Sequence, residues 1–185
     1  MIEGVYMWYI FLIIIIIAFS LFILCNLAYN RFQDSIIKIN EVEGKIDEAL
    51  RNKYDIIIKL NNIIKENIKT DKELVDDLSS LKDEDKSSFE IHRILIESYN
   101  KIDYVKNQYK GLNKNEDINK MFYEIDEIDE SLNAYIKFYN ENISSYNTYV
   151  RKFPYNFIGI IFKYKEKPFF DNKDLNDEKT NDFKL

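Results

Sequence analysis

Twenty consecutive residues without a charge, Val5–Leu24 (VYMWYIFLIIIIIAFSLFIL), constrain everything that follows them in this chain. At about 1.5 Å rise per residue a helix of that length covers the roughly 30 Å hydrocarbon core of a bilayer. A helix is also the open element that satisfies its own backbone there. The stretch is therefore predicted to be a single transmembrane helix over 5–24, with residues 1–4 as a short segment before it. A cleavable signal peptide is not predicted: no basic region precedes the run, the run exceeds an h-region of about 7–15 residues, and no A-x-A-like site follows.

The flanks orient the span. No Lys or Arg precedes it, whereas Arg31 and Lys38 follow within the distance that counts, so the positive-inside rule places the large C-terminal domain in the cytoplasm. Trp8, Tyr9 and Tyr29 suit an aromatic belt, although they serve equally as apolar filler. Cys25 is the single cysteine, which excludes an internal disulfide framework and a multi-thiolate metal site. Leu24 before it is bulky where lipoprotein processing wants a small residue, so Cys25 reads as a buried thiol near the interface.

Beyond the span the composition turns polar and helical. Against 26 Lys and Arg stand 32 Asp and Glu, and a net charge of −6 without a basic cluster argues against nucleic acid as a partner. With 4 Gly and 2 Pro in 185 residues, turn punctuation is sparse and long helices are favoured over a many-stranded sheet.

Phe32, Ile36, Ile39, Val42, Ile46, Leu50, Ile57, Leu60 and Ile64 recur at helical steps, with Ala49, Ile56 and Ile63 widening the stripe. No Pro intervenes after the span, so this helix is predicted to continue it to about Lys69, projecting about 60 Å beyond the bilayer if straight. Thr70–Glu73 has the form of a capping box that opens a short second helix, or else Thr70 lies on an unbroken one. Ser79–Ser88 reads as a polar linker, and Ser87 to Glu90 repeats the capping-box form. The helix it opens carries Ile91, Leu95, Ile102, Val105, Tyr109 and Leu112 on one side and closes at Gly111 and Asn113–Asn115.

The last helix has the cleanest periodicity. Ile118, Ile125, Leu132, Tyr139, Tyr146 and Phe153 fall every seven residues. Met121, Ile128, Tyr135 and Tyr149 supply the intermediate positions, with Asn142 a polar exception, and Pro154 is predicted to end the helix. Tyr155–Phe170 is then aromatic and basic but too short to span a bilayer. Two placements compete: a lid over helix ends if Pro154 lies far from the membrane, and an interfacial segment if the helices bring it back. The favoured expectation is the lid.

His92, the single histidine, has no acid, nucleophile or second histidine in motif spacing and reads as a surface or capping residue. Glu124, Asp126, Glu127, Asp129 and Glu130 crowd one helix, but a di-iron bundle needs two Glu-x-x-His helices, so the run reads as a solvated face. Asp83–Asp85 lacks the Gly and terminal Glu of a calcium loop. Tyr139-Asn140 and Tyr146-Asn147 are predicted to pack rings while amides bridge between helices, a ligand groove being the alternative.

In order and spacing, several fragments together resemble one family. These are Tyr29-Asn30 after the span, Ile46-Asp47 followed by Leu50–Ile57, Asn115-Glu116, Phe138–Asn140, Tyr146-Asn147 and Phe153-Pro154. The pattern is similar to the LemA family of bacterial membrane proteins over nearly the whole chain to about Phe170. The resemblance implies a single-pass protein with a long antiparallel helical bundle and offers no catalytic residues to carry over. Val42–Lys45 departs from the family in lacking a Trp before the Ile-Asp pair.

The expected fold is all-α: a transmembrane helix, then a long antiparallel bundle of three to four helices over 26–153. The aromatic segment 154–170 and a disordered acidic tail 171–185 complete it. Catalytic, cofactor-binding and metal residues are all assigned as none. The expected role is an interaction or scaffold module at the bacterial cell membrane, not an enzyme, with lipid and other proteins as partners and no nucleic acid. A membrane-tethered sensor or signal-relay bundle is the alternative. Unmatched heptads leave room for a homo-oligomer.

Overall fold

The computed structural model describes residues 2–68, 75, 78, 81 and 86–171, with side chains from Tyr6 onward. Four α-helices follow in order: α1 (Ile2–Ile68), α2 (Ser88–Gln108), α3 (Glu116–Arg151) and α4 (Tyr155–Ile161). A 3-10 turn at Leu112–Lys114 joins α2 to α3, and no strand occurs among the described residues. The expected helix at Thr70 and the expected tail from residue 172 lie outside the described residues.

As the unbroken stripe predicts, α1 is a single helix. Its N-terminal part is the one described helix long and apolar enough to cross a membrane, with mean hydropathy 3.1 over its best window and none of that window buried. Gly44 sits within it with open space where a Cβ would be, so no neighbour approaches closely enough to require a glycine there.

Two compact units divide the chain: Met1–Ile39 with Asn142–Lys167, and Asn40–Glu141 with Pro168–Leu185. In the second, Val42, Ile46, Leu50, Ile57, Leu60 and Ile64 of α1 are buried against Leu95 and Ile102 of α2 and Ile118, Ile125 and Leu132 of α3. Val75 and Leu78 close over the same core. Asp47 meets Ser88 and Lys53 meets Tyr99, so α1 and α2 run in the same direction there. Tyr99 meets Asp126 and Lys106 lies over the Phe122 ring, so α3 runs antiparallel to α2, and with it to α1, where Lys53 meets Asp129. α2 therefore begins beside Asp47 rather than at the Ile68 end of α1.

Local signals set the ends of the helices. Ser87 caps α2 with the full reciprocal box: its hydroxyl accepts from the Glu90 backbone N–H at 3.3 Å, and its own N–H donates to Glu90 Oε2 at 2.9 Å. That hydrogen bond holds the exposed Glu90 carboxyl below its usual range. Asn115 Oδ1 accepts from the backbone N–H groups of Asp117 and Ile118 and opens α3.

The buried face of α3 differs from the expected seam in one respect. Ile118, Ile125, Leu132 and Tyr146 are buried as the seven-residue spacing predicts, and Met121, Ile128 and Tyr135 pack half-buried against the core, but Phe122 and Ile143, four residues after a seam position, are buried more fully. Phe153 lies beyond the end of α3 and is 72 % exposed, so it is not part of the seam.

In the first unit, Phe32 of α1 is fully buried. The rings of Tyr146, Tyr149 and Tyr164 surround it at centroid distances of 5.8, 6.2 and 4.6 Å. Pro154, reached through a cis peptide, follows the end of α3, and α4 then packs Ile158 and Gly159 inward. Gly159 approaches Phe32 and the Val150 carbonyl at ordinary contact distance. The helix ends in a Schellman motif: Tyr164 N–H donates to Gly159 O at 2.8 Å and Lys163 N–H to Ile160 O at 3.3 Å. Lys163 holds the left-handed conformation of that motif, φ 58°, where glycine is the usual residue.

Candidate functional site

The buried polar groups of the second unit centre on Lys53. It replaces the aliphatic residue that the stripe Ile46, Leu50, Ile57, Leu60 would place between Leu50 and Ile57, and its side chain is fully buried. A buried ammonium requires a partner. Nζ donates to Asp129 Oδ1 at 2.6 Å and Oδ2 at 2.8 Å, and lies 5.7 Å from the Tyr99 ring centroid. Tyr99 in turn donates its hydroxyl to Asp126 Oδ1 at 3.0 Å, and burial first, then this bond, raises its pKa above the usual phenol range.

Asp129 is thus a correction to the expected solvated acidic face. It lies seven residues after Phe122 and three before Leu132, in phase with the buried side of α3. Both charged residues were visible as in-phase interruptions of an apolar stripe, a pattern that the search for catalytic motifs does not detect. His92 is half-buried rather than capping: its ring is 6.0 Å from that of Phe170. Burial lowers its pKa below 6.5, assisted by the charge of Lys53 and opposed by Asp129. Lys53, Asp129, Tyr99 and Asp126 satisfy one another, an arrangement suited to fixing helix register rather than to proton transfer.

The Tyr-Asn pairs do form cross-links, but to the backbone of the C-terminal segment rather than to another helix. In the first unit Asn147, buried to 1 % exposure, donates from Nδ2 to Lys167 O at 2.8 Å and accepts from Lys167 N–H at 2.9 Å. In the second, Asn140 Oδ1 accepts from Phe170 N–H at 2.9 Å. The Phe170 ring meets Phe89 and Tyr139 at 5.9 and 6.4 Å.

A groove of about 560 Å³ runs between α1 and α3 of the second unit, lined by Lys45, Lys59, Glu48, Asp55, Glu124 and Glu127 among others. It is open and carries both signs of charge. Among the described residues no three His, Cys, Asp or Glu side chains converge as a metal site would require.

In the first unit the surface is of another kind. The Phe162 ring lies 5.2 Å from Tyr29, and Gln33 Nε2 donates to the Tyr164 hydroxyl at 2.8 Å. Tyr155–Lys167 therefore packs beside α1 directly after its apolar stretch. Arg151 and Glu166 form a two-pronged ion pair, and that hydrogen bond holds the Glu166 carboxyl below its usual range. Cys25 lies on the exposed surface of α1, not buried by protein.

These features define an all-α protein in which one helix, long and apolar enough to cross a membrane, runs on into a helical bundle stapled by buried polar pairs. The LemA family model matches residues 43–183. The chain belongs to the LemA family. No curated protein and no solved structure matches it.

Proposed function

We propose that the protein is a membrane-anchored interaction or scaffold module without catalytic activity, its bundle displayed on the cytoplasmic side to protein partners. One observation carries this reading: the helix that presents an exposed apolar stretch at its N-terminal end is the same unbroken helix that supplies the core stripe of the second unit. Anchor and bundle are then one element, and membrane attachment is built into the fold. The polar groups a reaction would need support the same reading, because Lys53, Asp129, Tyr99 and Asn147 are each taken up by structural hydrogen bonds.

Two measurements test it. Alkaline extraction of membranes should leave the full chain in the pellet, and quantitative release into the supernatant overturns the anchor. Proximity labelling from the bundle in intact cells should return a reproducible set of protein neighbours. A labelled set no different from that of an unrelated anchored protein overturns the interaction role.

A further inference from the structure

The outward side of α4 is more apolar than a water-facing helix warrants. Ile158 and Gly159 are already buried, yet Phe157, Ile160 and Ile161 on the other side are 60, 75 and 67 % exposed, and neighbouring Phe153 is 72 % exposed. A contiguous patch of this kind marks a surface that meets something other than water. Seven residues at about 1.5 Å each give a helix of roughly 10 Å, far too short to cross a bilayer but suited to lying in its interface.

Position says what covers the patch. Phe162 packs beside Tyr29, five residues after Leu24, where the apolar run ends, and Leu27 between them is exposed as well. Five residues of helix rise amount to about 7.5 Å, so the turn after α4 lies within about the depth of a headgroup layer from the end of the run. An aromatic pair at such a boundary is where tyrosine and phenylalanine rings gather between headgroup and acyl chain.

Charge says which lipid. Outside the apolar run the first unit carries Arg31 and Lys38 on α1, and Arg151, Lys152, Lys163, Lys165 and Lys167 around α4. Glu3 at the opposite end of the apolar run, Asp34 and Glu166 are its opposing acids, and Glu166 is engaged by Arg151. A surplus of four positive charges thus gathers in this unit although the whole chain carries −6. Lys152, Lys163 and Lys165 are exposed around the apolar face, the arrangement in which lysine stems cover apolar surface and the ammonium groups reach phosphate.

We propose that α4 and the turn after it form a second membrane contact, lying in the headgroup region of the leaflet from which α1 emerges and selecting anionic lipid. The proposal rests on α1 spanning the same bilayer, and the test separates the two. Each basic residue near an anionic surface strengthens attraction about five-fold, so Lys152, Lys163 and Lys165 together contribute about a hundredfold.

The full chain is reconstituted in vesicles of phosphatidylcholine alone or with phosphatidylglycerol, each with and without lipids brominated on the acyl chain. Trp8 is the single native tryptophan and reports on the span. Brominated lipid should quench it in the native chain, and failure there overturns the anchor itself. In a Trp8→Phe/Ile160→Trp chain the same lipids should quench the introduced indole by half or more in the phosphatidylglycerol vesicles. Quenching should be weaker in phosphatidylcholine, and the difference should vanish with Lys152→Gln/Lys163→Gln/Lys165→Gln. Trp8 quenched in the native chain without quenching at position 160 overturns the second contact, whether acrylamide reaches the introduced indole, which means water, or does not, which means protein cover. Equal quenching in the two lipid mixtures overturns the anionic selectivity.

Discussion

Lys53 is the residue whose environment most rewards a direct test. Its side chain is fully buried, whereas that of Asp129 is 31 % exposed, so the two single truncations are not equivalent. Asp129→Asn strands a buried ammonium and is expected to cost about 3 kcal/mol or more, while Lys53→Met leaves a carboxylate that reaches water and is expected to cost about 1 kcal/mol. Lys53→Met/Asp129→Leu should return close to native stability, because an apolar pair of similar volume suits the surrounding stripe. Thermal unfolding followed by circular dichroism in detergent measures all three, and equal losses for the two single variants would contradict the burial asymmetry.

His92 supplies a pH dependence at the same scale. Its folded pKa lies below 6.5, so between that value and 6.5 the unfolded chain binds more protons than the folded one. Stability from this residue is complete above about pH 6.5 and is lost as pH falls toward the folded pKa. The midpoint of unfolding should therefore drop between pH 7 and pH 5.5, and His92→Gln should flatten that slope. An unchanged slope in the variant would assign the effect elsewhere.

At the scale of elements, the segment after α4 depends on Asn147. The carboxamide makes two hydrogen bonds to the Lys167 backbone from a buried position, and Asn147→Ala leaves both backbone groups without this partner. Trypsin cleavage after Lys163 or Lys165 should accelerate about tenfold or more, while cleavage at Lys45 on α1 stays unchanged. Mass spectrometry of a limited digest reads the ratio. Helices α1, α2 and α3 were legible because periodicity and caps point to them: the stripe from Phe32 to Ile64, the Ser87–Glu90 box that opens α2 and the stop at Pro154 all appear in place. The phase of the α3 seam was less legible at its start, because Met121 and Phe122 both carry apolar side chains and Phe122 is the more deeply buried through packing that periodicity does not encode, whereas Asn142 beside Ile143 already marked the shift farther on. The direction of α2 was not legible, since it depends on the path between Ile68 and Ser87, where charged residues separate Leu78 and Leu81 from the nearest stripe. The partners of Asn140 and Asn147 were hidden for a related reason, as a side-chain amide that grips backbone leaves no matching residue type to look for.

For the whole molecule, the positive-inside argument gains weight from the fold. Arg31 and Lys38 alone support a cytoplasmic domain from sequence, but the first unit adds the basic residues around α4, which are far away in the chain. The remainder is correspondingly acidic. Gly111 offers a clean reporter of sidedness, being exposed with nothing near its Cβ position. In a Cys25→Ser/Gly111→Cys chain, an impermeant maleimide should label the protein only after the membrane is permeabilised, and labelling of intact cells would reverse the orientation.

Asn147 reads only the N–H and C=O of Lys167, groups that every residue except proline provides. The clasp is therefore indifferent to the side chain it holds. Position 167 can change its side chain with the segment still fastened at the same point, so the surface chemistry there is uncoupled from the attachment that holds it.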